Sequence, residues 1–514
     1  MIYVGNYRIA SGGPMKFELK SLLVSMFVIA LILVPLKASA QQLTAGDVDD
    51  NLNFDHYLSY INHTLNNSDG VNPNSVLPEL DLKDRITIRV IDSSGIGVSN
   101  AMVNIAVNGS DSNLISSRAG TDGIFRFFPT QDGANGASKF KATISSPDGK
   151  SSSVGVMIDL KTLGPSRMFT VTLPSYTSFL PDALDLVMVI DCTGSMGDEL
   201  SYLRTEFSGI IGQIQANNPN VSMRFAIVVY RDEGDDFVVK HYDFTDSVST
   251  MQGQLEQQTA DGGGDYEEAV HKALKEGVGL QWRGGNTLKL LFHVADAPPH
   301  NEYLKDALDQ VTNAREKGVH IFPLAASGVG DVAEYMMRAE ASLTGGRYMF
   351  LTDDSGIGNS HAEPHIQCYV VTTLEDLFVR VVDSQLTGKR VEPSANQTIR
   401  MVGNYSKGVC LAQEDVSSDP VTPPVASSGT TPSVSAGKGA PPTGLYDVYD
   451  GSSSGGPSSG DTTAPPTSYD PGTSTPKVAS KSGGLMPFTS APMFIAALVI
   501  VIAIQLLRRR LRKS

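Results

Sequence analysis

From residue 184 onward, short and almost wholly apolar runs alternate with longer helical ones, and few folds accept that alternation. LDLVMVI (184–190), MRFAIVVY (223–230), LKLLFHVA (288–295), VHIFPLAA (319–326) and RYMFL (347–351) read as strands. Strands apolar at every position are buried on both faces, so they belong in a parallel sheet covered by helices on each side. The helices fall between them. Residues 197–216 carry Leu200, Leu203, Phe207, Ile210, Ile211 and Ile214 at helical spacing. Residues 265–278 place Ala269, Val270, Ala273 and Leu274 on one face, and further helices fit 302–317, 330–343 and 373–386. The run DFVVKHYDF (236–244) follows its predecessor closely and is expected as an antiparallel edge strand. The expected fold is a doubly wound α/β sheet.

Ligands of such sheets bind outside the carboxyl ends of the strands. At the first end stands Asp191, followed by Cys192, Thr193, Gly194 and Ser195. The DGGGD loop supplies Asp261 and Asp265, and LKLLFHVA runs into Asp296. An acid and two hydroxyls at alternate positions of an extended loop present oxygens on one side. Joined by acids from two further loops, they make a hard, oxygen-rich donor set suited to Mg²⁺, with Mn²⁺ or Ca²⁺ as alternatives. A plain strand-to-helix turn capped by Ser195, and Asp265 as a mere helix cap, are the competing structural readings. Asp232 reads as a solvated loop charge, with an acid supporting the ligands from behind as the alternative, His293 as a satisfied core histidine, His300 and His361 as surface loop residues, and Trp282 as packing. Cys192 has no neighbouring cation in sequence to activate it.

These three loops, DCTGS, GGGD and VADAPPH, resemble the von Willebrand factor A domain over roughly 184–386, close to its hemicentin and α-kinase-associated branches. The resemblance implies a metal-ion-dependent adhesion site of D-x-[ST]-x-S form. It assigns Asp191, Thr193 and Ser195 to the first loop and Asp296 to the third. Integrin-type members place a Thr in the second loop, where this chain offers Asp265. A third carboxylate strengthens cation binding and weakens the pull on an acidic side chain of a protein ligand.

The rest of the chain suggests a surface protein. Lys16 and Lys20, the apolar run 22–36 and Ala38-Ser39-Ala40 form a secretory signal over 1–40, best read from Met15. Residues 41–84 are polar with little periodicity. Residues 85–174 alternate β-formers with turn residues and read as an all-β sandwich. The order GIGVSNAMVNIAV…SRAGTDGIFRFFP resembles the transthyretin-like, carboxypeptidase-regulatory-type sandwich, which implies a rigid spacer or adhesion module. After a short extension (387–412), residues 413–484 are rich in Ser, Thr, Pro and Gly and read as a disordered stalk. Residues 485–507 are 23 in number and uncharged, long enough for a transmembrane helix. The basic tail 508–514 behind them places the C-terminus in the cytoplasm and argues against a GPI signal. A bacterial sorting tail shares the outline.

Sequons at Asn62, Asn66, Asn108, Asn220, Asn396 and Asn404 allow glycosylation. Of three cysteines, Cys368 is expected to pair with Cys410, leaving Cys192 free. A net charge of −15 argues against nucleic acid as a partner. Together these features predict a single-pass cell-membrane protein that binds an extracellular or cell-surface protein through a divalent cation, and no enzyme. Two alternatives are a metal-dependent hydrolase of aspartyl-phosphate type and a structural surface-assembly protein. Thr193 stands where the hydrolase pattern D-x-D-x-[TV] needs its general acid, and no Walker loop, dinucleotide fingerprint, nucleophile elbow or HExxH occurs.

Overall fold

A computed structural model describes residues 42–411, apart from 68–69, 73–74, 357–360 and 362. The signal segment, the stalk, the apolar span 485–507 and the basic tail lie outside the described residues. Among the described residues no helix is long and apolar enough to cross a membrane. All the described residues belong to one compact unit.

In chain order the elements begin with β1 (Thr44–Val48) and α1 (Phe54–Leu65). Seven strands follow: β2 (Ile86–Ile91), β3 (Met102–Val107), β4 (Asn113–Arg118), β5 (Ile124–Phe127), β6 (Lys139–Ser145), β7 (Ser153–Asp159) and β8 (Met168–Thr172). Then come β9 (Ala183–Asp191), α2 (Gly197–Asn217), β10 (Ser222–Tyr230), β11 (Val239–Thr245), α3 (Val248–Glu256) and α4 (Val270–Gly279). The series continues with β12 (Thr287–Ala295), α5 (Leu304–Lys317), β13 (His320–Ala325), α6 (Asp331–Thr344), β14 (Tyr348–Thr352), β15 (Tyr369–Thr373) and α7 (Leu374–Thr387). Three short strands end it: β16 (Arg400–Val402), β17 (Tyr405–Ser406) and β18 (Val409–Cys410).

The large sheet has the order β11-β10-β9-β12-β13-β14-β1-β15-β16. Strands β10, β9, β12, β13 and β14 run parallel, and β11 closes one side as the expected antiparallel edge. All nine residues of β12 are buried, as its uninterrupted apolar run requires. Two apolar clusters cover the sheet. One holds Leu186, Met188 and Ile190 with Leu203 and Phe207 of α2, and the other holds Val187 and Val189 with Ala273 and Leu274 of α4.

The polar segment 41–84 departs from expectation. Its β1 is inserted between β14 and β15, antiparallel to both, and all five of its residues are buried. Helix α1 follows and buries Tyr57 and Ile61. The anchors are polar and distant in sequence. Asp50 and Arg338 of α6 form a buried ion pair at 2.8 Å. The Asn53 amide donates to the Gly408 carbonyl (2.8 Å), and its Oδ1 accepts the Cys410 N–H (2.7 Å). Cys368 and Cys410 are disulfide-bonded, and Cys192 is free and buried.

Strands β2–β8 form a three-stranded sheet (β5-β2-β8) and a four-stranded sheet (β4-β3-β6-β7) over one shared core that includes Ile88, Val103, Phe127 and Phe140. This pair of sheets rests on the C-terminal ends of α5 and α7. The cap glycines there, Gly318 and Gly388, lie against Arg118 and against Thr121 and Asp122. Arg315 of α5 pairs with Asp132, both buried. In a parallel α/β layer the helices run opposite to the strands. The two small sheets therefore sit at the end remote from the strand carboxyl ends, where the candidate ligands gather.

Candidate metal centre

Strand pairing builds the centre. β9 and β12 are parallel neighbours with Ile190 beside Val294, so Asp191 and Asp296 leave the sheet side by side. Beyond Asp191 the chain stays extended through Thr193 (φ −73°, ψ 169°), makes one 3-10 turn and enters α2. The Asp191 Oδ1 accepts hydrogen bonds from the Thr193 N–H (2.9 Å) and the Thr193 hydroxyl (2.7 Å). Thr193 Oγ1 and Ser195 Oγ lie 3.3 Å apart. Burial raises the Asp296 carboxyl, and a hydrogen bond from Ser195 offsets part of that rise. Four of the five residues expected from sequence are thus brought together.

Asp265 goes elsewhere. It is exposed, and with Asp232 and His300 it forms a group whose ligand atoms all lie within 4.8 Å of one another, close enough to hold a metal ion of its own. The expected helix from 265 begins only at Val270, so residues 265–268 are loop and reach further than a helix would. The residue they deliver to the centre is Glu268. It is 3 % exposed, and its backbone N–H donates to the Pro298 carbonyl beside the Asp296 loop. Glu268 Oε1 lies 3.0 Å from where a Cβ on Gly263 would be, and the Thr193 Cβ is 3.4 Å from the same point. Gly263 has φ +72°, so this close approach of the loop to Thr193 and Glu268 needs glycine.

Burial, and then the charge of Asp296, push the Asp191 carboxyl up to about 7. Burial also raises Asp296. Burial, followed by the charges of Asp191, Asp232, Asp296 and Asp235, pushes Glu268 up to about 9. Asp191 Oδ2, Asp296 Oδ1 and Glu268 Oε2 are each buried without a hydrogen-bond partner in the protein. Each such oxygen costs the desolvation of a polar group, about 1–3 kcal/mol and more when charged. The Asp191 and Asp296 oxygens, on adjacent strand ends beside the Thr193 and Ser195 hydroxyls, are hard donors suited to a divalent cation, which would satisfy them and relieve the repulsion, with Glu268 a third acid close enough to add to it. The residues therefore fit such an ion, with Thr193 and Ser195 supplying hydroxyl oxygens.

The loops around the centre are held firmly. Buried Arg231 donates through Nε to the Cys192 carbonyl (3.1 Å) and through Nη2 to the Thr259 carbonyl (2.9 Å). The Tyr266 hydroxyl lies 3.1 Å from the Asp296 carbonyl and accepts the Gly330 N–H at 2.6 Å, which ties three loops together. His293 is the core histidine expected, buried between the Tyr230 hydroxyl (3.2 Å) and Glu340 (2.9 Å). Burial, then Asp191, pushes the Cys192 thiol up to about 12, far from nucleophilic.

Two readings of single residues need correction. Asp232 is not a solvated charge: it is buried and lies 2.9 Å from His300 Nε2. His300 loses basicity to burial but gains more from the Asp232 hydrogen bond and charge, so its pKa rises. His361 is not a surface residue: its side chain is 4 % exposed, with Nε2 3.0 Å from Ser327 Oγ and Nδ1 2.8 Å from Asp353. That Ser–His–Asp arrangement has a nucleophile's spacing. The Ser327 hydroxyl, however, donates to Glu199, and Ser327 is buried, so it links α2 to the loop after β13.

Residues 185–355 match the family profile of the von Willebrand factor A domain. This stretch is a von Willebrand factor A domain. An ariadne-like RING finger protein of Acanthamoeba polyphaga mimivirus is 24% identical over 186 residues, 33% of this chain and 18% of that protein. The alpha-protein kinase vwkA of Dictyostelium discoideum is 21% identical over 141 residues, 27% of this chain and 22% of the kinase. The chain thus spans about a fifth of the length of these relatives. The vWF domain of the type V pili tip protein Mfa5 from Porphyromonas gingivalis aligns at TM-score 0.30 and 11% identity, covering 43% of this chain and 100% of that one. The pilus adhesin SpaC from Lactobacillus rhamnosus GG aligns at TM-score 0.29 and 10% identity, covering 49% of this chain and 32% of that one.

Proposed function

We propose that this chain is a cell-surface protein that binds a protein partner through a divalent cation, Mg²⁺ in the first place, at the strand carboxyl ends of its A domain. The observation that carries the reading is the pair of buried, unpartnered carboxylate oxygens on Asp191 and Asp296, which leave adjacent strands beside the Thr193 and Ser195 hydroxyls. A cation there would be held by these acids with Thr193 and Ser195, and would supply a Lewis-acidic position for an oxygen of the partner. The protein's own part is to keep the loops rigid, through Arg231 and Tyr266, so that the donors stay in place. The A domain falls in the hemicentin and α-kinase-associated branch in this reading. The two small sheets, similar in sequence to transthyretin-like sandwiches, act as a rigid spacer. The stalk 413–484 and the apolar span 485–507 tether the chain to the membrane, with the A domain outside.

The test is capture of partners by immobilised full-length protein with Mg²⁺ and with EDTA. The expected result is a partner retained only with the ion and lost in both Asp191→Ala and Asp296→Ala. A partner retained equally after chelation and by both variants would overturn the cation-dependent mechanism.

A further inference from the structure

The A-domain edge that carries the centre is electrostatically lopsided. Five loops emerge there: residues 191–198, 231–236, 261–268, 296–302 and 326–331. Together they contain thirteen Asp and Glu, one Arg and no Lys, a formal charge of −12. The whole chain carries −15, so the remainder is close to neutral at −3 and the acidity belongs to this one edge. The single Arg231 is buried and spends its donors on backbone carbonyls, offering no charge to a visitor. Lys272, from α4, is taken up by Glu233.

Glu268 decides what the loaded centre can accept. With Asp191 and Asp296 alone, a divalent ion would leave the donor set formally neutral, and an incoming carboxylate could complete it. Glu268 is 3 % exposed, has an oxygen without a hydrogen-bond partner and lies close enough to Asp191 and Asp296 to feel their charge, so it adds a formal −1 beside the loaded centre. A partner carboxylate would then add a second uncompensated charge against a rim of exposed acids, within a Debye length of about 8 Å where salt screens little. A basic partner meets the opposite field and is steered toward the edge. The rim also offers an aromatic face. The Tyr266 ring is 44% exposed while its hydroxyl is fixed by Gly330 and the Asp296 loop, a rigid surface for a cationic side chain.

We propose that this edge selects a partner with a Lys- or Arg-rich surface, and that the open position of the cation takes a neutral oxygen, an amide carbonyl or hydroxyl, instead of a carboxylate. This rests on the cation-dependent binding reading above and names the partner's chemistry. The probes are two labelled peptides of equal length, one alternating Lys with Gln and one alternating Glu with Gln. Their affinity for the full-length chain is read by fluorescence anisotropy with Mg²⁺ and with EDTA. The Lys/Gln peptide is expected to bind at least about tenfold tighter at low salt, with the preference shrinking several-fold as ionic strength rises. Equal affinities, or a tighter Glu/Gln peptide, would overturn the proposal. EDTA strips positive charge from the edge, so the Lys/Gln preference should persist or grow without the ion; the cation-dependent reading fails separately, through partner capture that survives chelation, so the two failures are distinct.

Glu268→Gln tests the neutral-oxygen half. Calorimetry with Mg²⁺ alone is expected to show affinity about tenfold weaker, because ligand charge sets affinity for hard cations. The same variant should bind the Glu/Gln peptide better than the parent does. Unchanged Mg²⁺ affinity, with a melting curve matching the parent, would remove Glu268 from the ion.

Discussion

Thr193 places both of its hydrogen bonds, from the backbone N–H and from the hydroxyl, on the same oxygen of Asp191. Oδ1 is thereby fixed, and Oδ2 is left buried without a hydrogen-bond partner. One side chain thus does two jobs. It anchors the loop, and it holds a lone pair ready for a cation. The alternate spacing of Asp191, Thr193 and Ser195 matters for this reason, since a one-residue shift would turn the hydroxyls to the other side of the extended chain.

The apo centre should therefore be limited by its own repulsion. Asp191→Asn keeps the shape and removes a fully buried charge that faces Asp296. Without metal, its melting temperature should equal or exceed that of the parent. With Mg²⁺ at a hundred times its Kd, the parent should gain about 2.7 kcal/mol and the variant nothing. Calorimetry with and without EDTA reads both; an undiminished Mg²⁺-induced rise in the variant would remove Asp191 from the centre.

The N-terminal strand should depend on its buried ion pair. Arg338 donates to Asp50 through Nε (3.0 Å) and Nη2 (2.8 Å) and to Glu334 through Nη1 (3.0 Å), with all three side chains at most 6 % exposed. Arg338→Leu strands the Asp50 carboxylate and leaves Glu334 with His365 alone, at a cost of about 3–5 kcal/mol. Hydrogen exchange should quicken first over 44–65, because Asp50 anchors that segment to α6. The double variant with Asp50→Asn should recover part of the loss. Uniform loosening of the whole chain would argue against a local anchor.

What was legible in the sequence follows from where each residue's partners lie. The strands β9, β10 and β12 are buried on both faces, so each announces itself as an apolar run, and the loops at their ends hold Asp191 and Asp296 by adjacency alone. β1 is as central to the sheet, yet its sequence TAGDV shows no run. Burial alone would raise the carboxyl of its Asp47, but Arg390, Arg347 and Arg380 press it down to about 2. Those guanidiniums lie some three hundred residues downstream, out of reach of any local pattern. Asp265 and Glu268 show the same limit at the site. The GGGD spacing favours Asp265, and only the start of α4 at Val270 reveals that Glu268 is the acid turned inward.

The closing disulfide should carry much of the stability of the C-terminal part. Cys368 and Cys410 are 42 residues apart and enclose β15, α7 and β16. In the chain-entropy account a loop of that length is worth about 4 kcal/mol. Replacing both cysteines by serine should lower the denaturant midpoint accordingly, with unfolding still cooperative. A loss under about 1 kcal/mol would mean that Asn53, which binds both Gly408 and Cys410, holds the segment without it.

His320 gives the fold a pH dependence away from the centre. Burial lowers its pKa to about 4, outweighing the hydrogen bond to the Thr344 carbonyl (2.6 Å), and the charges of Arg126 and Lys289 push the same way. The unfolded chain takes up the proton near the ordinary value of 6.5, before the folded one does. Stability is therefore whole above about pH 6.5, falls as the pH drops toward 4, and levels off below that, with a total near 3 kcal/mol at 1.36 kcal/mol per pKa unit. His320→Gln should flatten that part of the curve. Urea midpoints of parent and variant between pH 7 and 4.5 make the comparison; parallel curves would show that His320 is not the group responsible.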